Sequence, residues 1–193
     1  MKSWCGKMMQ AVFIQPLQQL PALIVYQRNN IMESLKGKYI LIAGATGTIG
    51  AALVKQLSAS GAHLFLLGRN AGKLSSLEQS CKPGQVASYV CDITDLNQVQ
   101  EMKAAYFNQY PAIDILINVA GIGIIKTMDQ LTEDEFMQTI RINLYAPFLL
   151  VKAFLPAMKE VKKGLIIQVP GVLGKPQWQV QQHMQPVSMA LMA

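Results

Sequence analysis

The stretch KYILIAGATGTIG, residues 38–50, decides the fold. Its first half is a short apolar run that predicts a buried strand ending at Gly44. Its second half places Gly44, Gly47 and Gly50 in a G-x-x-G-x-x-G pattern, and a helical periodicity follows directly. A strand, a glycine turn and a helix in this order predict the first βαβ unit of an α/β domain.

The same alternation of strand and helix continues along the chain. Four further apolar runs follow, AHLFLLG, VASYVCDI, IDILINVAG and GLIIQVPG, with helical patterns between them. Asn70, Thr94 or Asp95, and Thr132 stand where those helices are predicted to begin. Because the strands are apolar throughout, we expect a Rossmann-type doubly wound α/β fold, with about five parallel strands covered on both faces.

The helix predicted from about Thr132 is the longest in the chain. Apolar residues recur along it at Phe136, Ile140, Leu144 and Phe148. This spacing predicts that one face of the helix is buried.

The glycine turn predicts the kind of ligand the domain binds. Glycine permits backbone angles that a Cβ forbids, and it lets a pyrophosphate approach the main chain. The helix that follows offers free N–H groups and the positive end of its dipole to that anion. Tight turns also use glycine for shape alone. The position of the motif, at the start of a βαβ unit, nevertheless favours dinucleotide binding.

The end of the second predicted strand bears on the choice of dinucleotide. In this fold an acid at that position binds the adenosine ribose hydroxyls, whereas an arginine can accept a 2′-phosphate. The sequence has Gly68 and Arg69 there, and no acid. We therefore expect NADP(H) rather than NAD(H), with a solvated surface arginine as the alternative interpretation of Arg69.

Composition limits the remaining classes of function. The 193 residues have a net charge of +6, 51% hydrophobic and 15% charged residues, with no basic run of the kind that binds nucleic acid. No stretch reaches the roughly 18 uncharged apolar residues that span a bilayer. Cys5, Cys81 and Cys91 form neither a metal-type cluster nor a disulfide framework, so a reduced, cytoplasmic compartment is expected.

The chain divides by sequence character into three parts. Residues 1–31 read as an N-terminal extension: the basic, acid-free segment resembles a targeting peptide, but prolines and glutamines interrupt its apolar run. The simpler interpretation is a tail, or upstream sequence translated before an initiator at Met32. Residues 32–176 are predicted to form the dinucleotide-binding domain. Residues 177–193, which contain no Lys, Arg, Asp or Glu, are predicted to be an atypical tail.

Three further stretches, in the same order, complete a resemblance to the short-chain dehydrogenase/reductase family. They are CDITD, which begins at Cys91, DILINVAG, which ends at Gly121, and INLYAPF, which contains Asn143. The chain resembles the family from about Leu35 to Pro176. Val119 departs from the family's Asn-Asn-Ala-Gly signature, and Thr48 stands where most single-domain members have their middle glycine.

The resemblance implies hydride transfer between a nicotinamide and a small carbonyl or alcohol substrate, in a homo-oligomer. Composition adds the expectation that the chain binds neither nucleic acid nor membrane and holds no metal. It implies that Asn143 holds a water in the catalytic proton relay. The cofactor-binding residues that it implies are Gly44, Thr46, Gly47, Thr48, Ile49, Gly50, Arg69, Asp92, Ile93, Asn118, Ala120 and Gly121. Asp92 would meet the adenine amino group. The family's later strands and its active-site helix are expected to be missing from these residues.

The family's catalytic trio is the main departure. Gly171 occupies the position of its serine, Met184 that of its tyrosine and Ser188 that of its lysine. A reading frame shifted by one base after Pro176 permits a tyrosine codon at position 184 and a lysine codon at position 188. A single-base deletion near Pro176 is therefore one hypothesis, and a divergent tail is the other. Two functions follow: an NADP(H)-dependent oxidoreductase whose chain is inactive as written, or a non-catalytic dinucleotide-binding pseudo-enzyme.

Overall fold

The structure, a computed structural model, describes residues 33–169. The chain divides into two compact units, Met1–Lys36 and Gly37–Ala193. The predicted part boundaries at 31/32 and 176/177 lie outside the described residues. The strands are β1 (Tyr39–Ala43), β2 (His63–Gly68), β3 (Val86–Val90), β4 (Ile115–Asn118) and β5 (Leu165–Gln168). The helices are α1 (Thr48–Ala59), α2 (Ala71–Gln79), α3 (Leu96–Gln109), α4 (Glu133–Ile140), a π-helical turn (Arg141–Tyr145) and α5 (Ala146–Glu160).

The five strands form one parallel sheet in the order β3-β2-β1-β4-β5. Both faces are covered, since consecutive residues of β1 and β2 are buried although their side chains alternate in direction. One face packs against α3 and α5, where Tyr106 meets Phe154 with ring centroids 5.2 Å apart. The predicted doubly wound parallel sheet is thereby confirmed.

The predicted helix starts are present as side-chain caps. The Asn70 side chain accepts a hydrogen bond from the third residue of α2. Of the two candidates Thr94 and Asp95, the cap is Asp95, which accepts the main-chain N–H groups of the second and third residues of α3. Thr132 and Glu135 form a reciprocal capping box at α4. Each cap satisfies N–H groups that a helix cannot pair internally, which fixes where each helix begins.

The predicted buried face of the long helix is wrong in two of its four residues. Phe136 is 47% exposed and Phe148 is 53% exposed, whereas Ile140 and Leu144 are half-buried. A strict four-residue spacing drifts by about 40° per step around a helix of 3.6 residues per turn. The π-helical turn also changes the phase between α4 and α5. The buried residues of α5 are therefore others: Ala146, Pro147, Leu149, Leu150, Phe154 and Met158.

The stretch Glu133–Glu160 is also long and apolar enough to cross a membrane, with a mean hydropathy of 1.3 over its most apolar 18 residues. Within residues 33–169 no other helix meets this criterion. Core helices of water-soluble proteins meet the same criterion. Here the α5 half of the stretch packs on α3, as a core helix does.

Opposite the carboxyl ends of the strands, one carboxylate joins three segments. Asp114 accepts the Tyr39 main-chain N–H at 3.1 Å and the Lys38 ammonium at 3.2 Å, and the Lys163 ammonium lies 3.8 Å away. Partial burial would by itself raise the pKa of the Asp114 carboxyl. The Tyr39 N–H and the two lysines outweigh that effect and hold its pKa below the usual range.

We expect Asp114→Asn to lower stability at neutral pH by about 1 kcal/mol. Because the folded-state pKa lies below the unfolded value, the contribution of Asp114 is present above the unfolded pKa. This contribution is lost as the pH falls through the folded-state pKa. The difference in unfolding free energy between wild type and variant should therefore shrink below about pH 4. Urea midpoints measured from pH 7 to pH 2.5 provide the check, with exposed Asp129→Asn as the matched charge control. A gap independent of pH would contradict the assignment.

Candidate functional site

A cavity of about 220 Å³ lies at the carboxyl ends of β1 to β4. In open parallel sheets this edge, near the point where strand order reverses, is where ligands bind. Here β1 is that point, since β2 and β4 flank it. The residues that line the cavity come from the last residues of β2, from the loop after each of the four strands and from the π-helical turn: Gly44, Thr46, Gly47, Leu67, Gly68, Arg69, Cys91, Asp92, Ile93, Thr94, Val119, Ala120, Gly121, Ile122 and Ile142.

The amino end of α1 lies beside this cavity with its main-chain donors uncovered. Gly47 is the N-cap residue, no side chain caps the helix, and no acid stands in its first turn. Helix geometry leaves the first N–H groups, those of Thr48, Ile49 and Gly50, without intrahelical partners. Combined with the positive end of the helix dipole, these donors form a site for an anion.

Gly44 and Gly50 are required by the protein's own packing. Gly44 has a φ of +81°, and a Cβ there would lie 2.6 Å from the Ala120 main-chain nitrogen. A Cβ on Gly50 would lie 2.2 Å from the Gly44 carbonyl oxygen. These two glycines let the turn after β1 lie directly against the loop after β4 and against its own helix.

Gly47 differs from the other two glycines of the motif. Its φ of −79° is ordinary for any residue. The nearest atom to a Cβ there, the Gly44 oxygen, would be 3.4 Å away, at the limit of ordinary contact. The fold therefore does not require glycine at this position. The missing side chain leaves room between the cavity and the uncapped end of α1, which is the space a phosphate needs to reach the main chain.

The charged groups of the cavity are Arg69 and Asp92. Arg69 is exposed at the end of β2, and no carboxylate pairs with it within residues 33–169. One oxygen of Asp92 accepts both the main-chain N–H and the hydroxyl of Thr94, at 2.9 and 2.8 Å. Its other oxygen receives no hydrogen bond from the described part of the chain and can accept one from a ligand.

Cys91 lines the cavity but is not a reactive group. Its side chain is buried, and burial raises the pKa of the thiol to about 11, with smaller contributions from nearby carboxylates. The thiol therefore stays protonated at neutral pH and acts as a small apolar side chain.

Asn118 lies behind the cavity and joins two strands. It is 2% exposed, and its oxygen accepts the Ala120 N–H at 3.1 Å while its nitrogen donates to the Gln168 side chain at 2.9 Å. These bonds fix the turn after β4 and its register with β5. Asn118 thus shapes the wall on which Ala120 and Gly121 lie.

Asn143 holds the same loop from the helix side. Its oxygen accepts the Ile122 N–H at 2.9 Å, and its nitrogen donates to the Ile122 carbonyl oxygen at 2.8 Å. The residue lies in the π-helical turn, a feature that often marks functional sites. Asn143 is therefore a positioning residue for the loop, and the water-holding role implied for it stays a prediction.

Two tyrosines close to the site in sequence are structural. The Tyr106 hydroxyl donates to the Ala112 carbonyl at 2.9 Å, and the Tyr110 hydroxyl donates to the Leu64 carbonyl at 3.0 Å. Burial raises the pKa of the Tyr106 phenol strongly and that of the Tyr110 phenol to about 12. Both hydroxyls are thus buried and engaged with main-chain carbonyls, so neither is presented to the cavity.

The structure brings together most of the residues that the sequence singled out. The cavity is lined by Gly44, Thr46, Gly47, Arg69, Asp92, Ile93, Ala120 and Gly121. Thr48, Ile49 and Gly50 adjoin it at the start of α1, while Asn118 and Asn143 support its wall. Gly171, Met184 and Ser188 lie outside the described residues. Sequence reasoning missed Leu67, Gly68, Cys91, Thr94, Val119, Ile122 and Ile142, each of which lies within two positions of a predicted site residue, a proximity that could have revealed them.

Comparison with known proteins shows which family the chain belongs to. The sequence-family model of the short chain dehydrogenases matches residues 38–183 of the chain. The chain belongs to the short-chain dehydrogenase family. This short-chain dehydrogenase spans about half the length of the curated relatives it matches.

Two curated relatives and one solved structure illustrate the similarity. A fatty acyl-CoA reductase of Acinetobacter baylyi is 31% identical over 72% of this chain and 49% of its own. A 3-oxoacyl-[acyl-carrier-protein] reductase of Thermotoga maritima is 31% identical over 72% of this chain and 58% of its own. A metagenomic short-chain oxidoreductase in complex with NADP is 28% identical, with a TM-score of 0.68 over 82% of this chain and 78% of its own.

Proposed function

We propose that this short-chain dehydrogenase binds NADP(H) and belongs to an oxidoreductase that acts on a carbonyl or alcohol substrate. The observation that carries the proposal is Gly47. Its missing side chain leaves the uncapped end of α1 open to the cavity, although nothing in the fold requires glycine there. A dinucleotide pyrophosphate matches this space in charge and in size.

The remaining cavity groups fit the adenosine half of the same ligand. Arg69, without a carboxylate partner within residues 33–169, can bind a 2′-phosphate through two parallel hydrogen bonds. The free oxygen of Asp92 can accept the adenine amino group. Further support comes from the metagenomic relative, whose structure holds NADP.

At the other end of the cavity, the chain positions the loop from Ala120 to Ile122. When bound, the nicotinamide would supply or accept a hydride. The chain's own contribution is to hold that loop, which Asn143 ties to the π-helical turn and Asn118 ties to β5. The names of the two curated relatives describe reductases of acyl compounds, which makes an acyl-derived carbonyl compound a reasonable first substrate to assay.

A second candidate function, a dinucleotide-binding pseudo-enzyme, is favoured by the departures in the catalytic trio. Neither Met184 nor Gly171 can donate a proton through its side chain, and Ser188 carries no ammonium to lower the pKa of a neighbour. Independent sequencing of the gene after the Pro176 codon separates the two functions. A frame that continues with a tyrosine and a lysine codon favours the enzyme, and an unaltered frame favours the binding protein.

The expected oligomer and compartment are also proposals. Tyr145 and Phe148 stack with ring centroids 6.4 Å apart on an exposed part of the π-helical turn and α5. A second copy of the chain would bury this apolar surface in the homo-oligomer that the family resemblance implies. We further propose a cytoplasmic protein that does not bind nucleic acid or membrane.

Arg69→Ala tests the choice of cofactor. We expect the variant to lose about 1–3 kcal/mol of NADPH binding, the range for charge-assisted hydrogen bonds. NADH binding should stay nearly constant because it lacks the 2′-phosphate. Calorimetric titration of both cofactors provides the measurement, with exposed Lys82→Ala as a control for the loss of one positive charge. Equal affinities of the wild-type chain for NADPH and NADH would refute the proposal.

A further inference from the structure

A second, larger cavity of about 560 Å³ adjoins the first and shares Arg69, Asp92, Thr94 and Ile142 with it. Its far wall is formed by α4 and by the first residues of the π-helical turn. Arg69 approaches this space from the end of β2, whereas Arg141 approaches it from the helix. Two arginines from separate elements therefore line one cleft beside the proposed adenosine site.

The Arg141 guanidinium has no ion-pair partner within residues 33–169. The side chain is exposed, and its main chain is engaged separately, by an N–H that bonds back into α4 and a carbonyl that accepts the Ala146 N–H. The acids Glu133 and Asp134 stand at the start of the same helix. Seven or eight residues of helix place them about 10–12 Å from Arg141 along the axis, which is too far for a direct pair.

The other two carboxylates of the cleft already have partners. Glu135 accepts the Lys126 ammonium at 2.6 Å and the Thr132 N–H at 3.1 Å. One oxygen of Asp92 is bonded twice to Thr94. Glu133 and Asp134 thus lie at the outer end of α4, and Glu135 and Asp92 are already hydrogen-bonded. Arg69 and Arg141 line the same cleft, and within residues 33–169 neither guanidinium has a carboxylate partner. A doubly charged phosphate between them would satisfy both.

We propose that Arg141 is a second specificity-determining residue, which binds the 2′-phosphate of NADP(H) together with Arg69. This inference rests on the proposed function, because it needs the adenosine half of the cofactor in the first cavity. Recognition would then depend on a residue of the helix as well as on the end of β2.

The test uses the full chain and two probes that isolate the adenosine half, 2′,5′-ADP and ADP. Arg141→Gln should weaken binding of 2′,5′-ADP by about ten- to a hundredfold, as expected for the loss of a hydrogen bond between charged groups. Binding of ADP should change less than about twofold, since ADP lacks the 2′-phosphate. Arg141→Lys should retain part of the affinity, and the double variant with Arg69→Gln should abolish the preference for 2′,5′-ADP.

Exposed Lys55→Gln, in α1 and outside the linings of both cavities, is the control for loss of one charge and should leave both affinities unchanged. Equal weakening of both probes by Arg141→Gln would overturn the inference, because Arg141 would then act through groups that the two probes share. No effect on either probe would overturn it as well. If the wild-type chain shows no preference for 2′,5′-ADP, the proposed cofactor fails. If only Arg69→Gln removes the preference, the cofactor stands and Arg141 is excluded.

Discussion

The 193-residue chain is expected to transfer no hydride from NADPH to a carbonyl substrate above the uncatalysed rate. Met184 and Ser188 stand where the family resemblance places a proton-donating tyrosine and its lysine, and Gly171 replaces the serine. General acid catalysis alone contributes about 10²–10⁴ to a rate, so its loss should be plain in any assay. NADPH oxidation followed by absorbance, with acyl-derived ketones and aldehydes as substrates, is the measurement.

Two controls make this result interpretable. NADPH binding by the same preparation shows that the chain is folded and loaded, and the Thermotoga maritima relative shows that the substrates are competent. A chain that follows the shifted reading frame after Pro176 and continues beyond it should regain turnover. Any reproducible turnover by the 193-residue chain itself would show that another group supplies the proton.

Two glycine substitutions in one turn should impair different properties: Gly44→Ala the stability of the fold, and Gly47→Ala the binding of NADPH. Gly44→Ala is expected to destabilise the fold by about 2–5 kcal/mol, from the left-handed backbone angle and from overpacking against Ala120. That is a large part of the roughly 5–15 kcal/mol that holds a typical domain. Gly47→Ala should change stability by less than about 0.5 kcal/mol, because its backbone angles are ordinary and its Cβ meets no close neighbour.

The effect of Gly47→Ala should appear in cofactor binding instead of in stability. A methyl group at Gly47 would stand where the phosphate approaches α1, so we expect NADPH affinity to fall at least about tenfold with the fold intact. Urea denaturation and calorimetry on the two variants provide both numbers. If Gly47→Ala binds NADPH as well as the wild type does, the phosphate does not lie at this turn, and the space at Gly47 no longer supports NADP(H) binding.

Local chemistry explains why much of the fold was predictable. Asn70, Asp95 and Thr132 cap helices because of bonds made within three residues, so their sequence alone carries the signal. The apolar runs between them could only be strands of a sheet covered on both faces. The positions at the ends of those strands then had to converge on one edge, which is why most predicted site residues line one cavity.

The failures lie where distant contacts decide. Phe136 and Phe148 fit a helical spacing, but whether they are buried depends on what packs against that face and on a π-helical turn that has no recognised sequence signal. The glycine pattern gave no sign that Gly44 and Gly50 serve packing whereas Gly47 leaves room for a ligand. The role of Gly44 depends on Ala120, far along the chain, and that of Gly50 on how the turn folds back on the Gly44 carbonyl.

The paired hydrogen bonds between Asn143 and Ile122 have a thermodynamic consequence. They restrain the main-chain N–H and carbonyl oxygen of Ile122, in a segment at the cavity wall, before any ligand binds. The conformational entropy of that segment is therefore lost when the chain folds and does not oppose association. Affinity at this wall should be set by the contacts themselves, and on-rates should not be limited by a loop that has to find its shape.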